Sequence, residues 1–391
     1  MELVIGLSLT LFLICAFVII WAMAGYPISI RLLGALIKRQ NARDYSHVPS
    51  VTVMVVAHNE EKVIHEKLEN LLQLDYPADK IEFIVTSDSS TDDTNGIVEA
   101  FAQSHPSMKL RLHRTREHKG KTNAQNEAQK LVTTEYLVMT DANAMLDSES
   151  IKELMACFTS FDIAYVCGCL RYQNIDSSET ASSESSYWAM DVATREIEGR
   201  IASLTAGNGA IYACRNSDYF DADPIQCHDS VMPYHFALEG RRSINCLQAT
   251  AYEKAGETDS DEYKRKVRMF RSILDAPSNM LRVTNPFRFG WFSYFYFGHR
   301  FCRYSLWWAH PILFALNVLL AVFSLPFKAL LLFHTLFYLL AAFQSVAKTN
   351  IKLLAAIQYY VMTVRAQITA VIRSLNGSAR PTWESAESTR G

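Results

Sequence analysis

Three polar clusters hold most of the residues able to do chemistry. His58, Asn59, Glu60 and Glu61 follow one β-branched run, Ser87 to Thr94 (Ser-Asp-Ser-Ser-Thr-Asp-Asp-Thr) follow a second, and Asp141, Ala142 and Asn143 follow another. A carboxylate can accept hydrogen bonds from a base N–H or from ribose hydroxyls. Asp141 and Asn143 offer oxygens on one side of a strand end, a donor pair suited to a hard cation such as Mg2+ or Mn2+. Lys119, Gly120 and Lys121 add positive charge where a helix begins, and a helix N-terminus itself favours phosphate. These types together suit a nucleoside diphosphate. Any one cluster could be a solvated loop, and Asp92 and Asp93 read as helix caps.

Further along, Arg268 and Arg271 stand at i, i+3 helical spacing, so both can face one phosphate group. A basic helix facing solvent or lipid headgroups is the competing reading. Gly209, in Gly207-Asn208-Gly209-Ala210, permits close backbone approach near an acceptor, or forms a plain turn. His228 could serve as an acid–base group or as a structural histidine. Trp383 could be a stacking platform for a sugar, or part of a disordered tail.

The elements that must position these groups alternate. Strand-like runs occupy residues 51–57, 81–86, 110–114 and 136–139, and helix-forming sequence follows the first over residues 60–72. Strand–helix alternation predicts an α/β fold with a parallel-type sheet covered by helices. Ligands on such sheets lie beyond the C-terminal strand ends, where all three clusters fall.

Both ends of the 391-residue chain are apolar, and the net charge of −2 gives no bulk attraction to nucleic acid. Residues 1–25 read as a transmembrane anchor and residues 307–347 as a transmembrane hairpin. Residues 45–280 form the soluble domain. Residues 285–305, rich in aromatics and arginine, suit the headgroup layer, and residues 350–391 an amphipathic helix and tail. The basic flanks Arg31, Lys38, Arg39, Arg43, Arg288, Arg300, Arg303, Lys348, Lys352 and Arg365 all fall on one side of three spans, which the positive-inside rule makes the cytosol. The eight cysteines are scattered, with no pair of CxxC units, so a structural zinc site is not expected.

The order HNEE, SDSSTDD, KGKTNAQN, TDAN, GNGA, HD and RKVRMFR resembles the membrane-bound family-2 glycosyltransferases of the GT-A fold, Rossmann-like proteins related to bacterial polysaccharide, hyaluronan, chitin and cellulose synthases. The motifs cover about residues 51–271. The resemblance implies that Ala57 and Glu60 line the nucleoside pocket, that Asp88 meets the base, and that Lys121 stands near the nucleotide. It implies that Asp141 and Asn143 occupy the DxD position for ribose, diphosphate and metal, and that Asp229 is the catalytic base. Three departures stand out. The DxD is Asp-Ala-Asn, the family's acidic pair at the base is His228-Asp229, and its QxxRW is replaced by the basic run 265–271.

The expectation is an inverting, metal-dependent transferase in a bacterial inner or plasma membrane. It would move a sugar from a nucleotide-diphosphate sugar, of the UDP type, to a glycan or lipid-linked acceptor at the cytosolic face. One alternative is a single transfer to polyprenyl phosphate or a glycolipid. Another is a non-catalytic membrane protein that binds nucleotide sugars.

Overall fold

The computed structural model describes residues 2–174, 179–256 and 258–382. A single eight-stranded sheet forms from β1 (Val51–Ala57), β2 (Ile81–Ser87), β3 (Leu110–Arg114), β4 (Tyr136–Asp141), β5 (Met145–Leu146), β6 (Ile163–Tyr172), β7 (Ile211–Arg215) and β8 (Arg242–Glu253). Their order is β3-β2-β1-β4-β7-β6-β8-β5. The first four strands are mutually parallel, so their C-terminal ends share one edge. β7 runs antiparallel between β4 and β6. Every residue of β1 is buried, as its unbroken β-branched run requires of a strand covered on both faces. Val51, Val53 and Val55 face one core and Met54 faces the other, following the two-residue period.

The helices, in chain order, begin with α1 (Glu2–Ile20), α2 (Tyr26–Leu36), α3 (Ile64–Leu72), α4 (Thr94–Ser104) and α5 (Lys121–Gln129). α6 (Ser150–Ala156), α7 (Glu179–Ile201), α8 (His228–Leu238), α9 (Asp259–Met269) and α10 (Asp275–Arg282) complete the central region. α11 (Pro286–Phe289), α12 (Trp291–Phe295), α13 (Leu306–Ala321), α14 (Leu325–Ala347) and α15 (Lys352–Leu375) follow. α3 begins at Ile64 rather than Glu60. Asn59 adopts φ 53°, and the Glu60 carbonyl takes the Val63 and Ile64 amides at 3.0 and 2.9 Å. Residues 60–63 therefore form a turn at the mouth of the sheet.

Among the described residues, three helical runs are long and apolar enough to cross a membrane: Glu2–Leu36, Trp291–Ala321 and Leu325–Ala347. The first continues from α1 through a π turn into α2, past the apolar stretch read from sequence. The aromatic segment folds as the start of the second run, through α12 and the turns Tyr296–Cys302 and Arg303–Ser305 into α13. α13 and α14 form a hairpin, and α15 packs Ala366, Ala370 and Val371 against Val267, Phe270 and Ile273.

The N-terminal helical run, α7 and the start of the second apolar run are joined by a buried polar network. Tyr26 Oη of α2 donates to Glu198 Oε1 at 2.5 Å, and Glu198 Oε2 accepts from the Thr205 amide at 3.2 Å. His299 bridges Glu198 (2.8 Å) and Asp191 (3.0 Å), and Asp191 also accepts from Arg195 Nε (2.6 Å) and Arg303 (2.9 Å). α2 lies so close to α7 that a Cβ on Gly34 would stand 2.9 Å from the Ile197 side chain. Loop 203–209, which faces the candidate site, is thereby tied to the N-terminal helix.

Candidate active site

The C-terminal ends of β1, β2 and β4 bring the three polar clusters to one crevice. Ala57 ends β1, buried, and its carbonyl takes the Asp88 amide at 2.8 Å. Glu60 is buried beside it, its amide donating to Thr94 Oγ1 at 2.9 Å.

Asp88 is fully buried, and its two oxygens are engaged by the chain itself. They accept from Thr115 Oγ1 (3.1 Å), His118 Nδ1 (2.8 Å), the Lys119 amide (3.2 Å) and the Gly120 amide (2.8 Å). A carboxylate offers about four lone-pair sites, so Asp88 here organises loop 115–120 instead of presenting its oxygens to solvent. His118 stacks on His58 with centroids 3.7 Å apart, and His58 Nδ1 lies 2.7 Å from the Asp88 carbonyl. His58 stands in the first polar cluster read from sequence, whereas neither His118 nor Thr115 was singled out there. A His two residues before Gly-Lys is the available signal, and it carries little information without the fold.

The loop held by Asp88 delivers Lys121 as the first residue of α5. Gly120 precedes it at φ 97°, in the region that favours glycine. Lys121 Nζ is ion-paired with Asp141 Oδ1 at the end of β4. Burial alone would lower the Lys121 pKa, but Asp141 and then Asp229 outweigh it, so the ammonium is held above its ordinary range. Gly209 stands against this pair. A Cβ there would lie 3.0 Å from Lys121 Nζ and 3.4 Å from Asp141 Oδ2, so a side chain would crowd the charges. Asn208 makes the turn by accepting the Ala210 and Ile211 amides at 3.1 and 3.3 Å. Asn143 is half-buried in the turn after β4.

Asp229 sits in the first turn of α8, and its carbonyl takes the Gly207 amide at 2.8 Å. Its carboxyl is raised above the usual carboxylate range. Burial raises it most, Lys121 pulls it back, and Asp141 pushes it up again. Asp229, Lys121 and Asp141 are thus electrostatically coupled, although residues 121, 141 and 229 lie far apart in the chain. His228 has the other fate. It is 1% exposed against Tyr219 and Phe220, and burial pushes it down to about 3. It is a neutral packing residue, not an acid–base group poised near neutrality.

The basic run divides three ways. Arg265 and Lys266 pair with the buried Glu262 at 2.7 and 3.3 Å. Arg271 donates to the Gln226 carbonyl at 3.2 Å and, at 2.7 Å, to the carbonyl of Pro381 in the returning tail. Pro381 also covers Gly120, where a Cβ would lie 2.3 Å from its carbonyl oxygen. The Arg268 guanidinium makes no hydrogen bond or ion pair among the described residues. Burial lowers its pKa, and Cys227 and Asp141 are among the groups in its field. The two arginines therefore do not act as an equivalent pair. Trp383 lies outside the described residues.

Residues 52–217 match the model of the family described as "Glycosyl transferase family 2". Among curated proteins, the chain is 32% identical over 112 residues to the beta-monoglucosyldiacylglycerol synthase of Synechocystis sp., covering 29% of this chain and 23% of that protein. It is 29% identical over 107 residues to the poly-beta-1,6-N-acetyl-D-glucosamine synthase of Staphylococcus epidermidis, covering 27% and 25%. The matched part thus spans about a quarter of the length of these relatives. Among solved structures, a mannosyltransferase from Pyrobaculum calidifontis, in complex with GDP-Man and Mn2+, superimposes with a TM-score of 0.71 at 21% identity. The match covers 93% of this chain and 99% of that one, which shows a common fold.

Proposed function

From the family-2 glycosyltransferase domain of GT-A fold that this chain carries, we propose that it transfers a sugar, with inversion, from a nucleotide-diphosphate sugar to a glycan or lipid-linked acceptor at the cytosolic face of a membrane. The observation that carries this reading is the coupled trio of Asp229, Lys121 and Asp141 at the C-terminal sheet edge.

Asp229 takes the proton of the acceptor hydroxyl as its oxygen bonds to the anomeric carbon. The bond from that carbon to the diphosphate oxygen breaks on the opposite face, and the electron pair leaves with the nucleoside diphosphate. Lys121 and Arg268 receive the charge that develops on the leaving group. Arg268 suits this task because its guanidinium is in ion-pair contact with no carboxylate among the described residues. Asp88 and Gly120 fix the start of α5, so Lys121 and the helix N-terminus are in place before the donor arrives.

Asp141 and Asn143 fit a divalent cation shared with the donor. Both are half-buried, and among the described residues no three His, Cys, Asp or Glu side chains converge to hold an ion alone. Mg2+ commonly binds through one or two protein oxygens plus substrate phosphates. A bound Mg2+ or Mn2+ supplies charge neutralisation on the diphosphate.

The cleft's mounting supports the lipid-linked form of the acceptor. Arg300, from the second apolar run, donates to Ser230 at 2.6 Å, next to Asp229. Basic residues flanking the spans support a cytosolic cleft. The test is release of nucleoside diphosphate from UDP- and GDP-sugars by the purified full chain in lipid. Absence of release from every donor, with and without lipid acceptors, overturns the reading.

A further inference from the structure

Lys67 is fully removed from water on α3, in a helix whose sequence, Ile64-His65-Glu66-Lys67-Leu68, reads as an ordinary amphipathic stretch. Removing a lysine amine from water costs desolvation free energy that a leucine or methionine at this core position would not. No carboxylate among the described residues lies in salt-bridge contact with it. Its Nζ instead donates to Thr140 Oγ1 at 3.1 Å and to the Ala144 carbonyl. Those two residues bracket Asp141, Ala142 and Asn143.

One helical turn on, Asn70 grips the same backbone. Its Nδ2 donates to the Leu146 carbonyl and its Oδ1 accepts the Leu146 amide, both at 2.8 Å. Lys67 and Asn70 stand at i, i+3 and so share a helix face. The turn closes from the Ala144 amide to the Asp141 carbonyl at 3.2 Å. Thr140 Oγ1 passes the connection on by donating to the Ala210 carbonyl at 2.7 Å, beside Gly209. α3 also begins at the Glu60 turn. One helix thus links the nucleoside side of the crevice, the turn that carries Asp141 and Asn143, and the loop that carries Gly209. Burial pushes Lys67 down to about 7, and the amine can make both hydrogen bonds with or without its third proton.

We propose that Lys67 is a positioning residue for the donor diphosphate: it holds the turn 141–144 from behind so that the Asp141 carboxylate and the Asn143 amide face the diphosphate and its cation. This rests on the reading of the crevice as a donor site. Lys67 itself touches neither donor nor cation.

The experiment is titration of the purified full chain in lipid nanodiscs with UDP and with GDP, at a series of Mn2+ concentrations. Lys67→Met should weaken binding of the nucleotide that the unaltered protein prefers by about tenfold or more, and should raise the half-saturating Mn2+ concentration. Because Lys67 acts through the turn, its effect should be strongly non-additive with that of Asn143→Ala. Unchanged affinity in Lys67→Met overturns the proposal, as does a loss that simply adds to that of Asn143→Ala, which would mark general destabilisation. Should Lys67→Met fail to fold, Thr140→Val removes one of the two groups that Lys67 holds and severs the link to Ala210. It should weaken nucleotide and Mn2+ binding in the same direction, and full affinity there overturns the proposal. No binding of either nucleotide by the unaltered protein would overturn the donor-site reading, and the proposal with it, whereas normal binding by the unaltered protein and by the variants removes the proposal alone.

Discussion

Lys121 and Asp141 are ion-paired across the crevice, one from the start of α5 and the other from the last residue of β4. Each also acts on Asp229, in opposite senses. The donor's diphosphate and its cation would enter this pair as a second pair of charges, the phosphate toward the lysine and the cation toward the carboxylate. Lys121→Met should therefore weaken donor binding. It should also change the pH profile. Asp229 acts as a base only when ionised, and Lys121 lowers its pKa, so removing Lys121 raises it. The acid limb of kcat/KM should move to higher pH in the variant, measured by nucleoside diphosphate release from pH 5 to 9. An unmoved limb would detach Lys121 from Asp229.

Asp229→Asn should keep nucleotide binding and lower turnover by about two or more orders of magnitude, the usual worth of a general base. Calorimetry and product release, run on the same preparation, separate the two effects. Near-normal turnover would remove Asp229 from the mechanism.

Activity should rise with added Mg2+ or Mn2+ and fall away in excess EDTA, because the diphosphate charge needs neutralising. Asp141→Ala should raise the cation concentration needed for half-maximal rate. Full activity in EDTA would mean that Lys121 and Arg268 suffice as counter-charges.

Glu262 offers a stability test away from the crevice. Burial would raise its pKa, but Arg265 and Lys266 outweigh burial and push it down to about 2. Tyr359 of α15 also donates to it at 3.0 Å. A carboxylate whose pKa is depressed by folding contributes stability above its unfolded value, about 4.3. That contribution is lost as pH falls from there toward 2. Thermal unfolding should therefore show the native protein losing more stability between pH 5 and 3 than Glu262→Gln does. Parallel curves would sink the assignment.

The tail offers a topological test. Pro381 rests on Gly120 and accepts from Arg271, on the side of the membrane that holds the crevice. In a background without the eight native cysteines, Ser378→Cys should react with an impermeant maleimide only after cells are permeabilised. Labelling of intact cells would refute a cytosolic tail and, with it, a cytosolic crevice.

What could be read from the sequence was what is local. β1, β2 and β4 announce themselves as apolar runs ending in polar clusters, Asp141 lies in one of these, Lys121 stands at a legible helix start, and Asp229 was reached only through the family resemblance. The Arg268 and Arg271 spacing was legible, but not their separate fates, because the partner of Arg271 is a backbone carbonyl about a hundred residues away. β5 to β8 were not read. β6 carries Cys167-Gly168-Cys169 in place of a β-branched run, and its pairing with β8 joins distant parts of the chain. Lys67 looks like a solvent-facing residue until Thr140 and Ala144 arrive behind it. His228 shows the limit most plainly: only the rings of Tyr219 and Phe220 decide that it is neutral.

The hydrogen bond between Tyr26 and Glu198 means that the N-terminal helix is not a leash. A leash sets how far a catalytic domain can wander. A beam mortised into the domain sets its height and tilt. With α2 seated on α7 at Gly34 and tied through Glu198 to Thr205, a membrane crossing by the N-terminal run, as proposed, would hold the crevice at a fixed elevation over the lipid surface. Acceptors would then be sorted by the depth at which their hydroxyl is carried, before any contact reads their chemical identity. One extra helical turn in the anchor, a change of about 5.4 Å, would leave the chemistry intact and alter which acceptors it reaches.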